Sequence, residues 1–192
     1  MDQHESLGEV ERALHEHFGS RSVRASVSFL GVEPIEILRF EPIPEERAYV
    51  SVGMSRQPMT EPARAVTTPH APRAELVLYV RDPTDAVADV WRTLAVLAAA
   101  PAVEGVVYRV GMTIDVGAPV APGSRCSGGL IAESGLPAVT ASTGVVDFLQ
   151  VIPATREELA WCRVHGSAAL LRRWRERGTD QLDLARRSVD LD

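Results

Sequence analysis

The chain has 192 residues, 45% hydrophobic and 24% charged, with a formal net charge of −6. That length fits one domain with a sizeable core, and the composition is that of a soluble globular protein. The acidic balance argues against a nucleic-acid binder that relies on phosphate attraction.

The opening MDQHESLGEV has neither the basic start nor the apolar core of a signal peptide. Ser6 and Glu9 have the S-x-x-E spacing of a capping box. Leu7, Val10, Leu14 and Phe18 follow on one helical face, and Gly19 is the expected stop. Residues 23–30, 35–40 and 48–52 read as strands. Residues 55–73 hold Pro58, Pro62, Pro69 and Pro72 and read as a long loop, while residues 75–80, with LVLYV, read as a strong strand. Asp82 and Pro83 suit N-cap and N1 of a helix that runs to about residue 100 and stops near Pro101. Val87, Trp91, Leu94 and Ala98 are its apolar stripe. The run 91–102 is interrupted by Arg92 and is too short to span a bilayer. Residues 106–110 and 112–116 read as short strands broken at Gly111, residues 118–127 as a second proline- and glycine-rich loop, and residues 128–132 as a further strand.

From residue 145, VVDFLQVI leaves no polar face, which predicts a strand covered on both sides and turned at Pro153. Thr155 and Glu158 form a T-x-x-E capping box. Leu159, Trp161, Val164, Leu170, Leu171 and Trp174 then give helical apolar surface, broken at Gly166. Arg172, Arg173, Arg175 and Arg177 make the next stretch basic, and Leu182, Leu184 and Val189 are expected to pack a last segment on the body. All 20 basic side chains are Arg, which we read as the codon bias of a GC-rich bacterial genome. The order of elements is not the regular alternation of a doubly wound fold. It predicts a single domain, 1–192, of the α+β (mixed α/β) class: one mixed, largely antiparallel sheet with helices packed against it.

DFLQVIP, the TREEL helix start and HGSAALL resemble the C-terminal signature of the suppressor of fused (SUFU) domain family. YVSVGMSRQPM and RAELVLYV resemble its two earlier blocks, and LARRSVDL its last, all in the family's order. The resemblance implies the same fold and a non-enzymatic protein-binding role. Bacterial single-domain members are similar to immunity proteins that bind and neutralise a cognate polymorphic toxin domain. Eukaryotic members bind Gli-type transcription factors, with the bound peptide adding a strand at the sheet. They also carry a further C-terminal domain, which this chain is expected to lack.

No complete catalytic motif is present. Ser55 in Gly53-Met54-Ser55-Arg56-Gln57 departs from a nucleophile elbow at Gln57 and at the following proline. Cys126 lies beside Arg125, either as a thiolate in an electropositive loop or as an exposed lone cysteine. Cys162 and His165 are too few for a zinc site, His15 and His17 point to different faces, and two cysteines make no disulfide framework. The expectation is therefore no cofactor, no metal and no catalysis, in a cytoplasmic protein with reduced thiols. The rival readings are a hydrolase using Ser55 or Cys126 with His70 or His165, and a housekeeping or signalling adaptor. For a protein partner, the two proline-rich loops are favoured. Arg56 and Arg64 offer forked donors, Met59 an adaptable apolar contact, and His70 a contact between Pro69 and Pro72. Asp147 and Gln150, on opposite faces of the apolar strand, either bond a neighbouring loop or floor a recognition groove.

Overall fold

The computed structural model describes residues 3–19, 21–61, 71–82 and 89–192. Helix α1 (Gln3–Phe18) leads into a hairpin of β1 (Val23–Phe29) and β2 (Val32–Phe40), followed by β3 (Glu46–Val52) and β4 (Arg73–Arg81). Helix α2 (Val90–Glu104), β5 (Thr113–Asp115), β6 (Cys126–Glu133), β7 (Val139–Ala141), β8 (Gly144–Thr155), α3 (Arg156–His165) and α4 (Ser167–Glu176) complete the described elements. The strands form one sheet in the order β1-β2-β3-β4-β8-β6-β5, with β7 on the start of β8. Among the described pairs only β4 and β8 run parallel, so the sheet is mixed and largely antiparallel, as expected.

β8 is the longest of the described strands and an interior one, between β4 and β6. Its first half lies between β4 and β7, and its second half pairs with β6. Val146 and Phe148 pack with Leu7, Val10 and Leu14 of α1. Ile152 and Ala154, on the same face, pack with Leu159, Leu170 and Trp174 of α3 and α4. Leu149 and Val151 point the other way, into the core built around α2. The period of two along one strand thus feeds three clusters. Burial on both faces holds for the second half of β8 only. At its start Val145 is 55% exposed and Asp147 is exposed, because α2 packs on β1 to β4 and does not reach this far across the sheet. Pro153 is no turn: the strand continues to Thr155, with Pro153 opposite Gly129. The carbonyl of Pro153 accepts from Arg186 at 3.0 Å.

Other expectations are corrected. Ser6 and Glu9 do not cap α1, which is already helical at Gln3. The Ser6 hydroxyl instead bonds that of Thr143 at 2.7 Å, and Glu9 accepts the Ser142 N–H at 2.7 Å, tying α1 to the β7–β8 turn. The helix start expected at Asp82 and Pro83, and Val87 of its stripe, involve residues 83–88, outside the described residues. Pro101 lies inside α2, which ends instead at Gly105 in the left-handed conformation. A proline cannot donate to the carbonyl four residues back. Here the freed Leu97 carbonyl accepts from the buried Tyr108 hydroxyl at 2.8 Å. Residues 106–110 form no strand, and Val164 is 79% exposed. The 118–127 loop is packed rather than free, with Val120 and Ala121 in the core.

Candidate partner-binding surface

β3 ends in a tight turn at Gly53 (φ 130°), which opens a single 3-10 turn, Met54–Arg56. A side chain at position 53 would place its Cβ 2.8 Å from Arg56 Nη1 and 3.3 Å from the Pro34 carbonyl oxygen. Glu75, fully buried in β4, receives this turn. Its carboxylate accepts from the Ser51 hydroxyl (2.5 Å), the Ser55 hydroxyl (2.7 Å) and the N–H groups of Gly53 (2.8 Å), Ser55 (3.0 Å) and Met54 (3.3 Å). Burial pushes this carboxyl above its ordinary range, and the hydrogen bonds oppose that shift without cancelling it. Arg73 closes the unit by donating to the carbonyls of Ser55 and Arg56, both at 2.8 Å. The two early sequence blocks are therefore one structural unit. Ser55 is 1% exposed and its hydroxyl is committed to Glu75, so it is not presented to a substrate.

A second buried carboxylate organises the C-terminal part. Thr155 and Glu158 form the expected capping box. Glu158, with no exposed surface, also accepts from Trp174 Nε1 (3.0 Å), the Val189 N–H (2.9 Å) and both Arg186 Nη atoms (2.6 and 2.8 Å). Burial works against its charge, yet the Arg186 fork and the backbone donors hold its carboxyl below the usual range. Arg186 in turn lies 5.5 Å from the Trp174 ring centroid. LARRSVDL is thus a tail clipped onto β8, α3 and α4. Neither Glu75 nor Arg186 stands out in the sequence. The available signals were a lone carboxylate in an apolar strand and an Arg in an otherwise loop-like tail.

The two thiols are buried, which corrects the exposed-loop reading of Cys126. Burial pushes the Cys126 thiol up to about 11, so it is not a thiolate at neutral pH. His165 is exposed and stacks on Trp161 with ring centroids 4.1 Å apart. No group of His, Cys, Asp or Glu among the described residues is arranged to hold a metal ion, and no described helix is long and apolar enough to cross a membrane.

The residues expected to meet a partner are dispersed. Arg56 is partly exposed and clips the start of β2, donating to the Pro34 carbonyl at 2.5 Å and pairing with Glu33 at 3.0 Å. Met59 is 3% exposed within the α2-side core, so its side chain is not offered to a partner. Arg64 and His70 lie outside the described residues. Asp147 is exposed on one face of β8 and Gln150 half-buried on the other, so they do not floor one groove.

Comparison with known proteins places this architecture. No curated protein matches the chain significantly. Among solved structures, a suppressor of fused homologue from Neisseria gonorrhoeae is 20% identical, with a TM-score of 0.69 over 95% of this chain and 96% of that one. A chain of the Sufu–Fu complex is 15% identical, with a TM-score of 0.70 over 96% of this chain and 91% of that one. Drosophila Suppressor of Fused is 16% identical, with a TM-score of 0.70; 96% of this chain matches 51% of that one. At these identities the likeness is one of fold. The model of the suppressor of fused protein family matches residues 31–187, which contain the Glu75 turn, β8, the capping box and Arg186, and the chain belongs to the suppressor of fused family.

Proposed function

We propose that the chain is a non-enzymatic protein-binding module and, more finely, a cytoplasmic immunity protein that binds and neutralises one cognate toxin domain. The observation that carries the protein-binding reading is the match, over 96% of the chain, to a fold solved in the Sufu–Fu complex. The hydrolase reading is disfavoured because Ser55 and Cys126 are buried, and Ser55 is engaged by Glu75. The toxin reading rests on the family's bacterial single-domain members. The net charge of −6 would speed encounter with a basic toxin domain.

On this reading Arg56, Arg64, His70, Asp147 and Gln150 remain the residues to test, and Met59 is reassigned to the core. The experiment is co-expression with a toxin domain encoded beside this chain's gene, read by growth rescue and by calorimetry on the purified pair. Rescue and a stable complex are expected, with Arg56→Ala weakening association by about tenfold, or 1.4 kcal/mol. A toxin that kills with or without the chain, and no complex, would remove the immunity reading. Hydrolytic turnover lost in Ser55→Ala or Cys126→Ala would remove the non-enzymatic one.

A further inference from the structure

β1 is one edge of the sheet, and among the described strands it pairs with β2 alone. Its outer backbone N–H and C=O groups are a template for another strand, which sheets commonly guard against with proline, charge or a bulge. β1 has no proline, and its one charge, Arg24, is turned onto Glu11 and Glu36 of its own chain. The strand stays extended to Phe29 past a bulge at Ser28. Two cavities flank the start of this edge, one on each face. On the α1 side about 550 Å³ is lined in part by Phe18, Ser22 and Val23. On the α2 side about 130 Å³ is lined in part by Val23, Ala25 and Trp91. The far end of the strand carries its large apolar side chains. Phe29 is half-buried against the α2-side core, and Leu30, at the tip of the β1–β2 hairpin, is fully exposed.

The two ends of the strand are complementary to each other in a second copy. Residues opposite one another in an antiparallel pair share a face of the sheet. A two-fold axis through Ser26 sets Val23 of each copy opposite Phe29 of the other, and Ala25 opposite Val27. These side chains lie on the α2 face, where Ala25 and Val27 already pair with Ile37 and Ile35 of β2. Phe29 of one copy thus meets the smaller cavity of the other, beside Trp91. Leu30 comes opposite Ser22, at the larger cavity beside Phe18. Arg24 falls opposite Ser28, so no like charges face each other across the pair. Arg21 falls opposite Gly31, one pleat from Glu33. Arg21 is exposed, with no ion pair or side-chain hydrogen bond among the described residues, and the Glu33 side chain is 62% exposed. An axis at Val27 would set Leu30 against Arg24, and one at Ala25 would carry Phe29 past the start of β1 to Arg21. Ser26 is therefore the register that fills both cavities.

We propose that β1 pairs with β1 of a second copy, antiparallel about Ser26, to form an isologous dimer with one continuous sheet. The test is sedimentation equilibrium of the full chain over a range of concentrations. A reversible equilibrium between the 20.8 kDa chain and twice that mass is expected. Val23 and Leu30 are exposed in the single chain, so Val23→Lys and Leu30→Ser should leave its thermal unfolding unchanged while weakening the dimer at least tenfold. Ser26→Cys places two thiols on the axis, where the Cα atoms of an antiparallel pair lie about 4.5–5.5 Å apart, within disulfide range. Mild oxidation should link that variant into a covalent dimer. The chain's own Cys126 and Cys162 are buried and should not link, nor should an exposed thiol introduced on α4 by Arg175→Cys. A single-chain mass at every concentration overturns the proposal. So does a dimer that both Val23→Lys and Leu30→Ser leave intact, or a Ser26→Cys chain that links no faster than Arg175→Cys. A chain that stays single on its own, but binds a toxin domain through an interface lost in Val23→Lys, would give this edge to that partner and overturn it equally.

Discussion

Tyr108 shows how one hydroxyl makes a local exception possible. Pro101 would ordinarily break α2, and the Leu97 carbonyl it abandons is buried. The Tyr108 hydroxyl takes that acceptor at 2.8 Å. Burial pushes the phenol further above its ordinary value, so it stays protonated and able to donate. Tyr108→Phe keeps the ring's packing and removes only the donor. It should cost about 1–3 kcal/mol, the penalty for an unsatisfied buried acceptor, in urea unfolding. A loss below about 0.5 kcal/mol would mean that the carbonyl finds another donor and that Tyr108 serves α2 through packing alone.

At the scale of elements, β8 decides most of the architecture. Phe148 is 6% exposed beneath α1, in the cluster with Leu7, Val10 and Leu14. Phe148→Ala should cost about 3–5 kcal/mol by calorimetry, and a loss below about 1 kcal/mol would place the α1 contact outside the cooperative core. This strand, the capping box after it and the break at Gly166 were legible in the sequence because each has a short-range cause: an apolar run, a T-x-x-E spacing, a glycine with φ 87°. What was not legible depends on partners distant in sequence. Exposure at Val145 follows from where α2 ends on the sheet, and the continuation through Pro153 follows from pairing with Gly129. Met59, in a proline-rich stretch that reads as surface, is core: its N–H bonds the Pro72 carbonyl at 2.8 Å and its side chain is 3% exposed. The candidate site was less legible still. Residue type is the signal the sequence offers for it, and type does not reveal that Arg56 is engaged by Glu33 and Pro34.

Across the whole molecule, two buried carboxylates join segments far apart in sequence, and they respond to pH in opposite senses. Glu75 draws the turn after β3 onto β4, with neutral donors only and no cation among its hydrogen-bond partners. Glu158 draws the tail onto β8, α3 and α4, with Arg186 beside it. The folded chain holds the Glu158 carboxyl below the ordinary glutamate value of about 4.5, the Arg186 fork and backbone donors outweighing burial. The stability it contributes is therefore full above about 4.5 and lost as pH falls through the folded value. The folded chain holds Glu75 above 4.5. Its contribution is greatest below that value and is lost as pH rises through the raised one. Glutamine replaces each carboxyl without changing its size. In Glu75→Gln most donors keep an acceptor, whereas Glu158→Gln leaves Arg186 buried without its anion, at a cost of about 3–5 kcal/mol at neutral pH. Thermal unfolding of both variants against wild type, at matched ionic strength from acid to neutral pH, isolates the two groups because shared titrations cancel. The deficit of Glu158→Gln should shrink as pH falls below 4.5, and that of Glu75→Gln should shrink as pH rises above it. Deficits that run parallel across the whole range would show that the two carboxyls do not differ in their folded ionisation, and that hydrogen-bond geometry alone sets their roles.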